Sequence, residues 1–174
     1  MLKESKPQDS NKNLIYNKIL LLSRNKLFYT DFGLSDTFQN RIHLIFIHIS
    51  FIFIKIKHDS DKSKYKDFYQ KVFDTIFKNI ELNMRELGYG DVSVNKSMKY
   101  LVKSFYNILI ECETFNKKND KYKKALFLKL LEINNDLKHP NNDLLINYFN
   151  QFQAFCFDLS SDSVLKGEIN FNFK

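Results

Sequence analysis

Apolar residues recur at helical spacing on both sides of a short segment that holds Gly88 and Gly90, two of the four glycines in the chain. Before this segment the repeating positions are Tyr65, Phe68, Val72, Phe73, Ile76, Phe77, Ile80, Met84 and Leu87. After it they are Val94, Met98, Leu101, Phe105, Leu109 and Cys112. Spacings of three and four residues are typical of amphipathic helices, so the pattern predicts two long helices that meet here.

The segment between the two helices favours a tight turn. Gly88 lies just beyond the last apolar repeat, where a helix often ends on a left-handed residue without a Cβ atom. Ser93 is well placed to cap the second helix. We therefore predict a helix–turn–helix corner. The sequence has neither a Gly-x-Gly-x-x-Gly nor a Gly-Lys-Ser pattern, which excludes a phosphate-binding loop of these types.

The most apolar stretch covers residues 42–54 and lies between Arg41 and two lysines, Lys55 and Lys57. It is shorter than the roughly 20 apolar residues that a membrane-spanning helix needs. Its isoleucines and phenylalanines are also compatible with a buried strand. We predict a helix, because Ser35 and Asp36 offer an N-cap and the run is long for a strand. A helix that is apolar nearly all round belongs at the centre of a bundle.

The remaining patterns predict shorter helices. These cover residues 14 to about 24, residues 125 to about 133 and residues 142 to about 158. Residues 1–13 are polar and are expected to be disordered, and residues 160–174 are expected to form a turn and an extended tail packed down by Ile169 and Phe171. The sequence thus predicts an all-α, single-domain bundle of about six helices, over residues 14–174, around a central apolar helix.

The net charge of +7 permits attraction to anionic lipid, RNA or an acidic protein face, and does not choose among them. Five lysines between residues 117 and 124 form the densest basic cluster. A solvated helix end is the expected role of this cluster, and a contact with lipid or ribosomal RNA is the alternative. Cys112 and Cys156 each lie among apolar residues, which favours buried free thiols in a reducing compartment.

Candidate catalytic or metal-binding patterns are missing from the sequence. There is no His-Glu-x-x-His, no Gly-x-Ser-x-Gly and no Cys-x-x-Cys. His43 and His48 are five residues apart, so they do not share a helix face as two metal ligands would. We expect each to be a partly buried, hydrogen-bonded imidazole. The sequence favours a binding protein without cofactor or metal over an enzyme.

Three blocks of the sequence resemble the ubiquinol–cytochrome c chaperone family. The first reads Arg-Glu-Leu-Gly-Tyr-Gly-Asp-Val over residues 85–92 and continues through Val94, Lys96, Met98, Lys99, Phe105 and Tyr106. The second starts at Phe28 and Tyr29 and continues through Gly33, Asp36, Thr37, Phe38, Arg41 and His48. The third is weaker and contains Gly167, Ile169 and Phe171. His43, where the family pattern has an acidic residue, and Asn107–Ile108, where it has Gly-Arg, depart from it.

The resemblance implies a non-enzymatic chaperone that assembles the ubiquinol–cytochrome c reductase (bc1) complex and holds newly made cytochrome b. It implies partner-binding roles first for Arg85, Gly88, Gly90, Asp91, Lys96, Met98, Lys99, Phe105 and Tyr106, and next for Asp36, Thr37, Arg41 and His48. The implied partners are cytochrome b or other bc1 subunits, a small assembly factor, the ribosome or an anionic membrane surface, but not DNA.

The expected location is the cytoplasm, with peripheral attachment to the inner face of the cytoplasmic membrane, or the mitochondrial matrix side in a eukaryote. Two alternatives remain from the sequence. One is a basic helical protein that binds RNA or the ribosome, and its binding would be sensitive to salt. The other is a small helical enzyme, which would need a polar pocket with a residue of perturbed pKa.

Overall fold

Helix α3 is the element around which the others pack. The computed structural model describes residues 7–59, 62–133 and 142–174. Its α-helices are α1 (Pro7–Ser23), α2 (Leu27–Thr30), α3 (Phe38–Asp59), α4 (Lys62–Glu86), α5 (Asp91–Glu113), α6 (Asp120–Leu130), α7 (Asn142–Asp158) and α8 (Ser161–Leu165). A short 3-10 helix, Phe115–Lys117, joins α5 to α6. The described residues contain no strand, only an isolated antiparallel bridge between Leu34 and Ile133.

The predicted central helix is confirmed. Residues 42–56 of α3 are buried on every face, and α3 contacts α1, α4, α5, α7 and α8. Helix formation satisfies the backbone polar groups of this apolar segment internally, as burial requires. The helix starts later than predicted, because Thr37 caps it by accepting the Asn40 amide at 3.2 Å. The expectation that Ser35 and Asp36 supply the cap is therefore wrong.

Helices α4 and α5 form an antiparallel hairpin on α3, joined at the predicted corner. Gly88 has a φ of +87°. Its amide donates to the Arg85 carbonyl at 2.9 Å, and the Tyr89 amide donates to the Met84 carbonyl at 3.1 Å. These two bonds define a Schellman C-cap, which confirms the role predicted for Gly88.

The start of α5 differs from the prediction. Gly90 is the N-cap residue, with extended backbone at φ −71° and ψ 158°. Its carbonyl accepts the first intrahelical bond, from the Val94 amide at 2.9 Å. Ser93 lies inside the first turn of the helix and is exposed, so it does not act as the cap.

The helix boundaries elsewhere are partly as predicted. Helix α1 begins at Pro7 rather than at residue 14, so residues 7–13 are helical and the predicted disordered tail is too long; residues 1–6 lie outside the described residues. Helix α6 begins at Asp120 rather than Ala125, because Asn119 accepts the Tyr122 amide at 2.9 Å. The bounds predicted for α7 are confirmed. Pro140 is expected from the sequence to interrupt the helical pattern, and it lies outside the described residues.

The C-terminal segment packs against the aromatic side of the core, as predicted. Ile169 is buried, and the Phe171 ring makes edge contacts with Tyr148 and Phe152. The predicted turn contains the short helix α8, whose Ser160 cap accepts the Ser163 amide at 3.0 Å. Cys112 and Cys156 are buried free thiols, and burial raises the pKa of both.

Candidate functional site

A charged bridge ties the two sides of the corner together. The Arg85 guanidinium, near the end of α4, donates to Glu81 at 2.9 Å and also binds the Asp91 carboxylate at the start of α5. All three side chains are accessible to solvent, so the bridge adds little to stability.

Apolar side chains project from this corner into solvent. Val92 is 84% exposed and Leu87 is 63% exposed, and Tyr89 between them is also exposed. We call these three residues the corner patch. Neighbouring apolar side chains on α4 and α5, such as Met84 and Val94, are buried in the normal way. Exposed apolar residues grouped on one rigid turn are typical of an interaction site.

The loop before α3 carries a second charged bridge. Arg41 forms a bidentate salt bridge with Asp36, in which Nε donates at 2.7 Å and Nη2 donates at 2.8 Å. The hydrogen bonds from Arg41 hold the pKa of the Asp36 carboxyl below its usual range. Between them Thr37 caps α3, so side-chain interactions hold this loop both at the helix cap and across the Asp36–Arg41 bridge.

The two sequence blocks meet at one pocket. A cavity of about 310 Å³ lies between α1, α3 and α4. Phe38 and Arg41 from the second block line it, together with Glu86 and Leu87 from the first block. The fold therefore joins segments about 45 residues apart in the chain into a single surface, which we call the corner site. The floor is apolar, and its rim carries charges of both signs.

The other predicted partner-binding residues are divided between surface and core. Lys96 and Lys99 are exposed on α5, Met98 is half-buried beside Lys99, and Tyr106 is exposed. Phe105 is buried, with its ring against Phe46 and Phe77. Phe105 therefore supports the α4–α5 hairpin from inside. Ile108, where the family pattern suggests a basic residue, is also buried.

His48 and His43 are buried and hydrogen-bonded, as predicted. His48 lies in the aromatic core, bonded to Leu44 and Tyr148. Burial lowers the pKa of His48 to about 4. His43 is bonded to the Leu130 carbonyl and lies 3.1 Å from Ser104 Oγ, and burial lowers its pKa. Both imidazoles are neutral parts of the packing at neutral pH.

The basic cluster between residues 117 and 124 has partly structural roles. Lys123 is buried; its ammonium donates to Asn150 at 2.8 Å and lies over the Phe115 ring. Lys118 lies over the Tyr122 ring. Lys117, Lys121 and Lys124 are exposed, in agreement with the predicted solvated helix end, whereas Lys123 helps to join α6 to α7.

Within the described residues, no group of three or more His, Cys, Asp or Glu side chains could hold a metal ion. No helix in the described ranges is both long and apolar enough to cross a membrane.

The model of the family "Ubiquinol-cytochrome C chaperone" matches residues 30–171 of this chain. The chain belongs to the ubiquinol–cytochrome C chaperone family. The crystal structure of the Cbp3 homolog from Brucella abortus has the same fold: the TM-score is 0.80 at 24% sequence identity, over 96% of this chain and 91% of that one. No curated protein matches the sequence.

The matched range of this chaperone family member contains both halves of the corner site. Sequence reasoning identified Arg41 and the turn, but it assigned Leu87 to the buried face of α4 and did not single out Val92. The sequence does contain a signal for Val92. Val92 lies outside the helical repeat that begins at Val94, and an apolar residue outside the buried row of an amphipathic helix faces solvent.

Proposed function

We propose that this chaperone family member is a non-enzymatic assembly factor of the bc1 complex that holds newly made cytochrome b. The observation that carries the proposal is the corner patch, an exposed apolar turn directly beside a pocket with an apolar floor. Exposed apolar side chains of this kind lower the free energy of a complex when a partner covers them, by about 25 cal/mol for each Å² buried.

The corner site is suited to binding a loop or the end of a helix. One rim residue, Arg41, is already held by its bidentate bridge to Asp36, so part of the rim is ordered before a client binds. Opposite charges at the rim, Arg41 and Glu86, can orient a polar client backbone while the apolar floor takes a side chain. This is binding chemistry, and no step of bond making or breaking is involved.

We further propose that the protein works at the surface of the membrane that receives cytochrome b. This is the inner face of the cytoplasmic membrane, or the matrix side of the inner membrane in a mitochondrion. Lysines near an anionic surface each contribute about 1 kcal/mol to attraction. The exposed Lys96 and Lys99 lie on α5, whose first turn carries Val92 of the corner patch. Other bc1 subunits and a small assembly factor are candidate further partners.

A deletion strain complemented with matched variants tests the proposal. The Leu87→Ser/Val92→Ser double variant should fold like the wild type, because both side chains are exposed, and should fail to restore the bc1 complex. Leu21→Ser on α1 is the control, since Leu21 is equally exposed and lies outside the pocket lining. The readouts are bc1 complex on native gels and cytochrome b retained by the purified protein. Normal bc1 levels after deletion would end the assembly-factor proposal.

A further inference from the structure

A second concave surface lies between α5 and α6. The groove has a volume of about 540 Å³ and is lined on one side by Tyr100, Lys103 and Ile110 of α5 and on the other by Lys129 of α6. His43 of α3 and Ser104 of α5 form its floor. Neither the corner site nor the basic cluster accounts for this groove.

The groove and the corner site lie on opposite sides of α3. Arg41 lines the corner site, and His43 lines the groove. Residues two positions apart in an α-helix, such as Arg41 and His43, are separated by about 200° around the helix axis. A partner bound in the groove therefore leaves the corner site open, so the two surfaces can be occupied together.

The walls of the groove combine apolar and basic side chains. Tyr100 is 60% exposed and Ile110 is 64% exposed, on the same side of α5. Lys103 lies between them on that helix and Lys129 faces it from α6, and within the described residues neither lysine makes an ion pair. The acidic Glu111 at one end is already bonded to the Tyr122 hydroxyl, at 2.6 Å.

We propose that this groove binds an amphipathic helix of a protein partner, with acidic residues on both sides of its apolar stripe. The stretch from Tyr100 to Ile110 is about 15 Å long, which matches roughly three turns of such a helix. Apolar side chains of the partner pack between Tyr100 and Ile110, and its carboxylates pair with Lys103 and Lys129. This goes beyond the proposed function, because it assigns a second partner site away from the corner site.

The shape of the groove favours a helix over a membrane surface. A flat bilayer reaches the exposed rim, Tyr100 and Ile110, but it cannot contact the buried floor at His43 and Ser104. A helix fits between two helices, with its side chains entering the depression. The exposed isoleucine in the wall also favours a protein over nucleic acid, because phosphate contacts are made by polar side chains.

Peptide binding to the full chain tests the inference. The probe is a fluorescent helical peptide of about 18 residues with a leucine stripe flanked by glutamates, and the control peptide carries lysines in their place. The groove variant is Lys103→Glu/Lys129→Glu. Its matched control is Lys66→Glu/Lys78→Glu, which reverses the same number of exposed charges on α4. Fluorescence anisotropy measures the dissociation constants.

We expect the acidic peptide to bind at least about tenfold more weakly to the groove variant than to the control variant. Tyr100→Ser should also weaken binding, since it removes an apolar wall without changing charge. Leu87→Ser/Val92→Ser should bind the peptide like the wild type, which separates this site from the corner site. Equal losses in the two lysine variants, or equal binding of the two peptides, would show nonspecific attraction and overturn the inference.

Two further measurements separate other occupants of the groove. Binding to phosphatidylglycerol vesicles that is lost in the groove variant, together with unchanged peptide binding, would assign the surface to a membrane. A dimer of the wild type that becomes a monomer in the groove variant, in analytical ultracentrifugation, would assign it to a second copy of the chain. Either result would replace the proposed helix.

Discussion

The Nε2 atom of His48 accepts a hydrogen bond from the Tyr148 hydroxyl at 2.9 Å. The other ring nitrogen, Nδ1, donates to the Leu44 carbonyl at 2.6 Å, and this assigns the tautomer because a carbonyl oxygen only accepts. Rings of Phe28, Phe149 and Phe152 surround the imidazole. His48 therefore joins α3 to α7 as a neutral group whose hydrogen bonds are satisfied.

This arrangement predicts a loss of stability in mild acid. Burial lowers the pKa of His48 to about 4, whereas an unfolded histidine titrates near 6.5. Between these values only the unfolded state takes up the proton, so the free energy of unfolding falls as the pH drops below about 6.5. For His48 this pKa shift corresponds to a loss of about 3 kcal/mol in the free energy of unfolding by pH 4. The lowered pKa of His43 acts in the same direction.

Urea unfolding at pH 7.0 and pH 5.0 measures this effect. The wild type and the control His58→Gln should lose similar stability at the lower pH, because His58 is exposed near the end of the same helix. His48→Gln should be less stable at pH 7.0 and should lose less on acidification. An equal pH dependence in all three proteins would contradict the assignment of His48.

The two corner glycines should differ in their tolerance of a side chain. Gly88→Ser should cost about 1 kcal/mol, because φ is +87° and a Cβ atom is disfavoured there even though nothing lies within 4 Å. Gly90→Ser should be neutral or slightly stabilising, since Gly90 is an N-cap with a negative φ and open space around it. Thermal or urea unfolding compares the two variants, and equal effects would contradict the cap geometry.

The cap at Thr37 should be measurable in the stability of the whole domain. Thr37→Ala should reduce the free energy of unfolding by about 1 kcal/mol, because the Asn40 amide loses its acceptor. Thr37→Ser keeps the hydroxyl and should retain most of that stability. A similar loss in both variants would assign the effect to the methyl group instead of the cap.

Charged residues at the corner should affect assembly more than stability. Asp91→Ala and Lys96→Ala should each change the free energy of unfolding by less than about 0.5 kcal/mol, because both side chains are exposed. If they contact a client or partner, either change should lower the amount of assembled bc1 complex in cells. Lys78→Ala on α4 is the matched control. Normal assembly in both corner variants would move the binding surface toward Asp36 and Arg41.

Attachment to the membrane should be electrostatic. At about 1 M salt the screening length falls to roughly 3 Å, so a protein held by surface lysines should leave the membrane pellet. Alkaline carbonate should release it as well. Protein that stays in the pellet after both treatments would contradict peripheral attachment.

The helices of the core were predictable because their signal is local. The apolar run at residues 42–54 predicts the central helix α3, and the apolar period of residues 142–158 predicts both ends of α7. The caps were harder to predict. Asn119 starts α6 within a lysine-rich stretch that has no apolar period, and Gly90 starts α5 without any side-chain bond. At these positions the backbone conformation of the preceding loop, and not an apolar pattern, determines where the helix begins.

The candidate site was only half predictable. Motif reasoning grouped Phe105 and His48 with surface residues such as Asp91, although both lie in the core. A motif reports which residues belong to a family, and burial depends on the packing of distant helices. Conversely, Val92 on α5 and Leu82 on α4 fall off the buried rows and are exposed, although Leu87, which continues the row of α4, is exposed as well. Helical periodicity therefore gives information about the surface that the motif does not.

The contacts of the C-terminal segment determine when folding can be completed. Phe173 packs against Phe32, and both rings contact Tyr148, so one aromatic cluster unites residues from nearly the whole length of the chain. Contacts between such distant residues form late, because a large loop has to close first. Until the segment with Phe171 and Phe173 packs down, the Tyr148 face of α7 stays uncovered. Partly folded states in which such apolar surface is still exposed are prone to aggregation, so this chaperone family member shares the hazard until its aromatic core closes.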